Sequence, residues 1–156
     1  MPKFVDTSAP GDCIFCRIVR AEIPSALIYE DELTLAFMDL GQVNPGHVLV
    51  ATKRHATNLY EITKEEGAAV MNTVQKIAAS IERTFNAPGL MLVQANGKEG
   101  EQTVFHFHLH VLPRHANDGV GLLWPRKEPG MEALKSYAKM LTKNIQEIEL
   151  QGIPAS

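Results

Sequence analysis

The sequence predicts an α+β domain, and three observations carry that prediction. Apolar and polar residues alternate through Gln102–Leu112, the period-two pattern of a β-strand. From Thr63 onward, apolar residues instead recur at three- and four-residue steps, the spacing of an amphipathic helix. The remaining short apolar runs are separated by turn residues without regular βαβ alternation, which argues for a sheet with helices on one face.

Each element follows from local chemistry. Met1–Gly11 carries Pro2, Asp6, Ser8 and Pro10 and lacks the apolar core of a signal peptide, so it reads as a loose tail. Cys13–Arg20 reads as a short helix with Ile14, Phe15 and Ile18 as its apolar residues. Ala26–Tyr29 and Thr34–Met38 read as strands separated by Glu30-Asp31-Glu32. Asn44-Pro45-Gly46 is a turn, and His47–Ala51 forms the third strand. Thr63 and Glu66 form a capping box, after which Val70, Val74, Ile77, Ile81 and Phe85 make a single apolar stripe. Pro88-Gly89 stops that helix; Leu90–Gln94 and Phe105–Leu112 are the fourth and fifth strands. A loop containing Trp124 leads to a long helix over 130–150, whose stripe of Met131, Leu134, Ala138, Leu141, Ile145 and Ile148 calls for packing on the domain or on a second subunit. The expected organisation is one domain over 12–150 with tails at 1–11 and 151–156.

Composition narrows the class. With 156 residues and 45% hydrophobic content, the chain can bury one core without disulfides. A net charge of −3 gives no global field to hold DNA or RNA, so any phosphate attraction must be local, and no apolar run approaches a membrane span. The expectation is a cytoplasmic protein with neither nucleic acid nor membrane as partner.

The histidines point to chemistry. On a strand, Phe105, Phe107, Leu109 and Val111 share one face and His106, His108 and His110 the other. Strand rise is about 3.4 Å per residue, so neighbouring imidazoles lie roughly 7 Å apart and one ion cannot take all three. Neutral imidazole serves as nucleophile or proton donor near pH 7; an H-x-H pair also occurs in catalytic metal sites. The polar loop Gln94–Thr103 brings amides and a hydroxyl beside the histidines, as a phosphate site requires. Cys13 and Cys16 are the only cysteines, and without export signals their C-x-x-C spacing suits a metal clip or a redox pair rather than a structural disulfide. Asp39 is the one acid ending an apolar run, and a carboxylate there accepts two hydrogen bonds from a ribose diol.

Taken together, Asn96-Gly97…Gln102-x-Val104-x-His106-x-His108-x-His110 resembles the signature of the histidine triad superfamily of nucleotide hydrolases and transferases. The resemblance extends through Cys13–Cys16, Glu22–Ser25, Tyr29–Asp31, Leu35–Asp39, Pro45–Val50 and His55, covering about residues 13 to 115 in the family's order. One departure is Glu101, where the family usually has glycine; a carboxylate there either disfavours a polyanionic substrate or points to solvent.

The resemblance implies a five-stranded antiparallel sheet with one long helix and a C-terminal helix, assembled as a homodimer. It implies nucleotidyl transfer at the α-phosphorus of purine nucleoside phosphoramidates or dinucleoside polyphosphates. His108 is the implied nucleophile, His110 the partner of phosphoryl oxygens or leaving group, and His47 the residue orienting the triad. Gln102, Asn96 and Thr103 would donate to phosphate oxygens; Asp39 would hold the ribose; Phe15, Ile18, Phe37 and Leu40 would form the purine slot. Similar bacterial members bind structural zinc through such a cysteine pair and two histidines, by position Cys13, Cys16, His55 and His106, with no catalytic metal required. The His110–Arg114 ending is more similar to diadenosine polyphosphate hydrolases, the compact amino terminus to general bacterial members. A purine-nucleotide-binding module with little turnover is the alternative, and Trp124 is a candidate to reach a partner subunit's pocket.

Overall fold

A computed structural model describes residues 5–121 and 125–154; Trp124 and its expected reach lie outside the described residues. The chain divides into two compact units, Met1–Gly119 and Val120–Ser156.

Eight elements follow in order: α1 (Ile14–Val19), β1 (Leu27–Glu30), β2 (Thr34–Met38), β3 (Val48–Thr52), α2 (Lys64–Phe85), β4 (Gly89–Val93), β5 (His108–Arg114) and α3 (Met131–Gln151). The strands form one antiparallel sheet in the order β1-β2-β3-β5-β4. Its centre is therefore β3, flanked by the two strands whose residues meet at the site.

Pleating sorts the central strands into two faces. Ala36, Val50 and Leu109 align across β2, β3 and β5, as do Val48 and Val111 on β3 and β5. These residues cluster with Val70, Val74, Ile77 and Ile81 of α2, the stripe expected from its spacing. Thr63 accepts from the Glu66 amide at 3.1 Å, while Glu66 accepts from the Thr63 amide at 2.8 Å, completing the capping box. The opposite face gathers Leu35, Phe37, Leu49 and Ala51 with Cys13, Phe15 and Cys16. Helices thus cover both faces, correcting the expectation of one. The reason is legible in β2, where four consecutive residues are buried because neither face meets water.

The turn into β3 is held by close packing: Gly46 has φ +99°, and a Cβ there would meet the Phe85 ring at 2.7 Å. The expected fifth strand also changes, beginning at His108 rather than Phe105. Just before it, the Phe107 amide donates to the Ala56 carbonyl at 2.6 Å and the His106 ring bonds the Thr52 carbonyl at 2.7 Å. The first triad histidine is therefore drawn toward the 52–56 segment rather than carried on the strand.

Two further expectations meet different outcomes. Part of the supposed loose tail is held down, since Asp6 is buried and pairs in parallel with Val104. Helix α3 has no buried residue, and Leu134, Leu141, Ile145 and Ile148 of its stripe are 37 to 63% exposed, an apolar face in keeping with the second-subunit alternative. Among the described residues, no helix is long and apolar enough to cross a membrane.

Candidate functional site

Sheet register builds the floor of the site. Leu35, Ala51 and His108 form one cross-strand row, and Phe37, Leu49 and His110 form the next. Small or apolar neighbours leave the imidazoles as the polar groups of that face. Above them lies a pocket of about 460 Å³ lined by α1 residues Ile14, Phe15 and Ile18, by Phe37, Asp39 and Leu40, and by Thr103, His108 and His110. Phe15 packs edge-on against Phe37 and His108, with centroid separations of 5.3 and 5.0 Å. The residues expected for a purine slot are thus brought together with two triad histidines; Leu40 is almost fully exposed at the edge.

Hydrogen bonds assign the histidine tautomers. The His108 Nδ1 lies 2.7 Å from the His106 carbonyl, which only accepts, so Nδ1 carries the proton and Nε2 the lone pair. The Val43 amide donates to the His47 Nδ1 at 3.5 Å, and the His47 Nε2 lies 2.9 Å from the His110 Nδ1. A consistent chain is then Val43 N–H to His47, His47 Nε2–H to His110, and Nε2–H of His110 as the terminal donor. Burial lowers the pKa of His47 and His108; burial and the adjacent His108 and His47 hold His110 at about 4. All three are neutral near pH 7.

Asp39 accepts from the Gly41 amide at 2.8 Å and lies 3.4 Å from His47 Nε2 and 3.6 Å from His110 Nδ1. These donor atoms converge closely enough to consider a metal. The 2.9 Å His47–His110 separation fits a shared proton better than a tetrahedral edge, which is roughly 3.3 Å for two imidazoles.

A second cluster lies at the other end of the histidine run. The sulfur atoms of Cys13 and Cys16 are 3.4 Å apart, and each lies 3.3 to 3.8 Å from the Nδ1 atoms of His55 and His106. A tetrahedral zinc with bonds near 2.3 Å to sulfur and 2.0 Å to nitrogen has edges of roughly 3.3 to 3.8 Å. These four residues form a group able to hold a metal ion. Two features of the cluster fit such an ion. Burial and the neighbouring Cys13 push the Cys16 thiol up to about 11, a penalty that a dication would reverse. Burial holds His106 at about 4, keeping its imidazole neutral as a ligand must be. His106 Nε2 bonds the Thr52 carbonyl, the type of outer contact that fixes a ligand's tautomer. The His55 Nε2 is buried with no hydrogen-bond partner among the described residues, leaving Nδ1 as the engaged face of that ring.

Gln102 and Asn96 are placed differently from the sequence expectation. Gln102 is buried, donates to the carbonyls of Thr57 and Val104 at 2.6 and 3.0 Å, and accepts from the Gly97 amide at 2.8 Å. Asn96 exchanges hydrogen bonds with Gln94 and accepts from the Leu59 amide. Neither lines the pocket: the buried Gln102 amide satisfies both its ends, and the half-buried Asn96 pairs with Gln94, so these two brace the loop while Thr103 reaches the pocket. Arg114 is tied to Asp118 at 2.7 Å. Glu101 is exposed with φ +64°, so the left-handed backbone by itself supplies a reason for glycine at that position.

Sequence reasoning missed Leu49 and Val104 in the lining, and Asp6, which bonds the Ile14 amide and the Thr103 carbonyl. Period-two counting from Val48 gives Leu49 its face, but placing it beside His110 requires the register of β3 against β5.

Comparison with known proteins supports this geometry. The HIT domain family matches residues 20–117. A HIT family protein from Bacillus anthracis of known structure is 40% identical, with a TM-score of 0.82, covering 87% of this chain and 99% of that one. The adenosine 5'-monophosphoramidase hnt1 of Schizosaccharomyces pombe is 32% identical over 136 residues, covering 86% of this chain and 98% of the relative. A Zn-bound histidine triad family protein from Mycobacterium smegmatis is 34% identical, with a TM-score of 0.66 over 85% of this chain and 97% of that one. The family match, which spans the sheet and takes in all three histidines, makes this chain a member of the HIT domain family.

Proposed function

We propose that the chain is a cytoplasmic nucleotide hydrolase acting at the α-phosphorus of purine nucleoside phosphoramidates or dinucleoside polyphosphates. The observation that carries this reading is the tautomer of His108: its Nδ1–H bonds the His106 carbonyl, leaving the Nε2 lone pair for attack beside an apolar pocket.

The purine lies among Phe15, Ile18, Phe37 and Leu40, and Asp39 accepts hydrogen bonds from the ribose. His108 Nε2 forms a bond to phosphorus as the bond to the amine or phosphate leaving group breaks. The His110 Nε2–H donates a hydrogen bond to the phosphoryl oxygens or the departing group, an amine leaving group takes its proton from solvent, and His47 holds His110 in the required tautomer. Thr103 donates to a phosphoryl oxygen as negative charge grows there. Water then cleaves the phosphorus–nitrogen bond: its hydroxyl stays on phosphorus, its proton passes to solvent, the electron pair returns to His108 Nε2, and a nucleoside monophosphate leaves.

Cys13, Cys16, His55 and His106 are proposed to hold structural zinc, which would join α1 to the segment before β5. A second copy of the chain is proposed along β4, an edge strand whose Leu90 and Leu92 are each 41% exposed. Light scattering then gives roughly twice 17.2 kDa; a monomer that turns over substrate removes the dimer.

The deciding assay incubates the protein with adenosine 5'-phosphoramidate and with a diadenosine polyphosphate and follows AMP release. Release from either supports hydrolysis and ranks the leaving groups. AMP binding with no release from both leaves the binding-module reading in its place.

A further inference from the structure

Two parts of the pocket lining are fastened to each other by a residue outside the family match, which begins at residue 20. Asp6 is only 7% exposed. Its amide donates to the Thr103 carbonyl at 2.8 Å, and it pairs in parallel with Val104. Its Oδ2 accepts from the Ile14 amide at 2.7 Å, and Oδ1 accepts from the Ser8 amide at 2.9 Å.

Ile14 opens α1, which contributes Ile14, Phe15 and Ile18 to the pocket, while Thr103 and Val104 contribute another part of the lining. The cap of α1 does not serve the Ile14 amide, because the Cys13 side chain accepts from Cys16. A buried carboxylate is costly unless its oxygens are bonded. Here both are, and the residue's backbone is bonded to a third segment.

We propose that Asp6 is a positioning residue for the nucleotide, fastening α1 to Thr103–Val104 and thereby fixing the pocket's width. The proposal rests on the nucleotide reading of the pocket. Movement of α1 carries Phe15 with it, and Phe15 touches His108; Asp6 itself lines neither the pocket nor the reacting atoms. Its effect is therefore on how well substrate is held more than on the chemical step.

The test uses the full chain with Asp6→Ala and the milder Asp6→Asn, which retains one carbonyl acceptor. AMP affinity is read by calorimetry, kinetics with adenosine 5'-phosphoramidate, and amide hydrogen exchange without ligand. In Asp6→Ala, Kd for AMP and KM rise about tenfold while kcat stays within about twofold, with Asp6→Asn between it and wild type. Amide exchange accelerates together in α1 and around Thr103–Val104. Unchanged Kd and KM beside a lowered Tm overturn the proposal, as does exchange confined to residues 6–8. If wild type does not bind AMP, the nucleotide reading fails separately; the exchange data then decide whether Asp6 fastens the two segments, and independent loosening refutes it.

Discussion

His106 and His108 stand two residues apart, yet they belong to different chemistry. His106 is fully buried, turns Nδ1 toward two cysteines and anchors Nε2 on the Thr52 carbonyl. His108 anchors its own Nδ1 on the backbone of His106 and keeps Nε2 for the pocket. The contrast shows how one histidine run is divided: sulfur neighbours make a metal-capable cluster of the first imidazole, whereas a carbonyl on Nδ1 leaves the second with its Nε2 lone pair beside an aromatic-lined pocket. The two regions are joined through the backbone of His106, so a change at either end tests their separation.

The largest expected effect comes from breaking the pocket side. His108→Ala lowers turnover by about a thousandfold or more while AMP affinity stays within about tenfold, because the lost interaction belongs to the transition state. AMP release and calorimetry read the two quantities, and near-normal turnover removes His108 as nucleophile. Acid quenching of wild type during turnover traps AMP on a histidine.

Breaking the sulfur side gives a different signature. Cys16→Ser reduces zinc from about one equivalent to near zero and destabilises the fold by about 3 kcal/mol, lowering Tm by about 10 °C. The rate per folded molecule changes little. Immediate arrest of still-folded wild type by a chelator instead assigns the metal to the reaction.

Acid sharpens the comparison on the His110–His47 relay. In the folded chain burial keeps His110 neutral down to about 4 and lowers His47, whereas the unfolded chain takes up protons near 6.5. Stability is therefore level above pH 6.5 and falls as pH drops from there toward 4. Urea midpoints across that window measure it, and His110→Gln shows the shallower decline; equal declines would exclude His110 as a contributor.

The smallest effect concerns Glu101. Replacing it with glycine relieves a left-handed backbone at the expense of a more flexible unfolded chain, for a net gain of about 1 kcal/mol or less. AMP affinity stays within about twofold. A large gain in affinity for a dinucleoside polyphosphate would show that the carboxylate repels phosphate.

Local signals told much of this fold, because they depend on neighbours in sequence. The Thr63–Glu66 capping box, the α2 stripe and the short strands stand within a few residues of their expected bounds. The histidine alternation also identified the strand that lines the pocket, although that strand begins at His108 and so carries only the last two triad positions. The family resemblance supplied the candidate residues, and the fold gathers most of the pocket set in one place.

What the sequence by itself determined is the kind of domain and the inventory of reactive groups, since period, capping and residue chemistry are local properties. Tertiary structure decided how those groups are used. Cys13 meets His106 across 93 residues and His47 meets His110 across 63, contacts that depend on sheet order and on loop paths rather than on period. The same long-range packing turned Gln102 and Asn96 into loop braces, gave α1 its own face of the sheet, and made Asp6 part of the pocket's support. A buried polar group is used by whichever partner folding brings within hydrogen-bond reach, and that partner is usually distant in the chain.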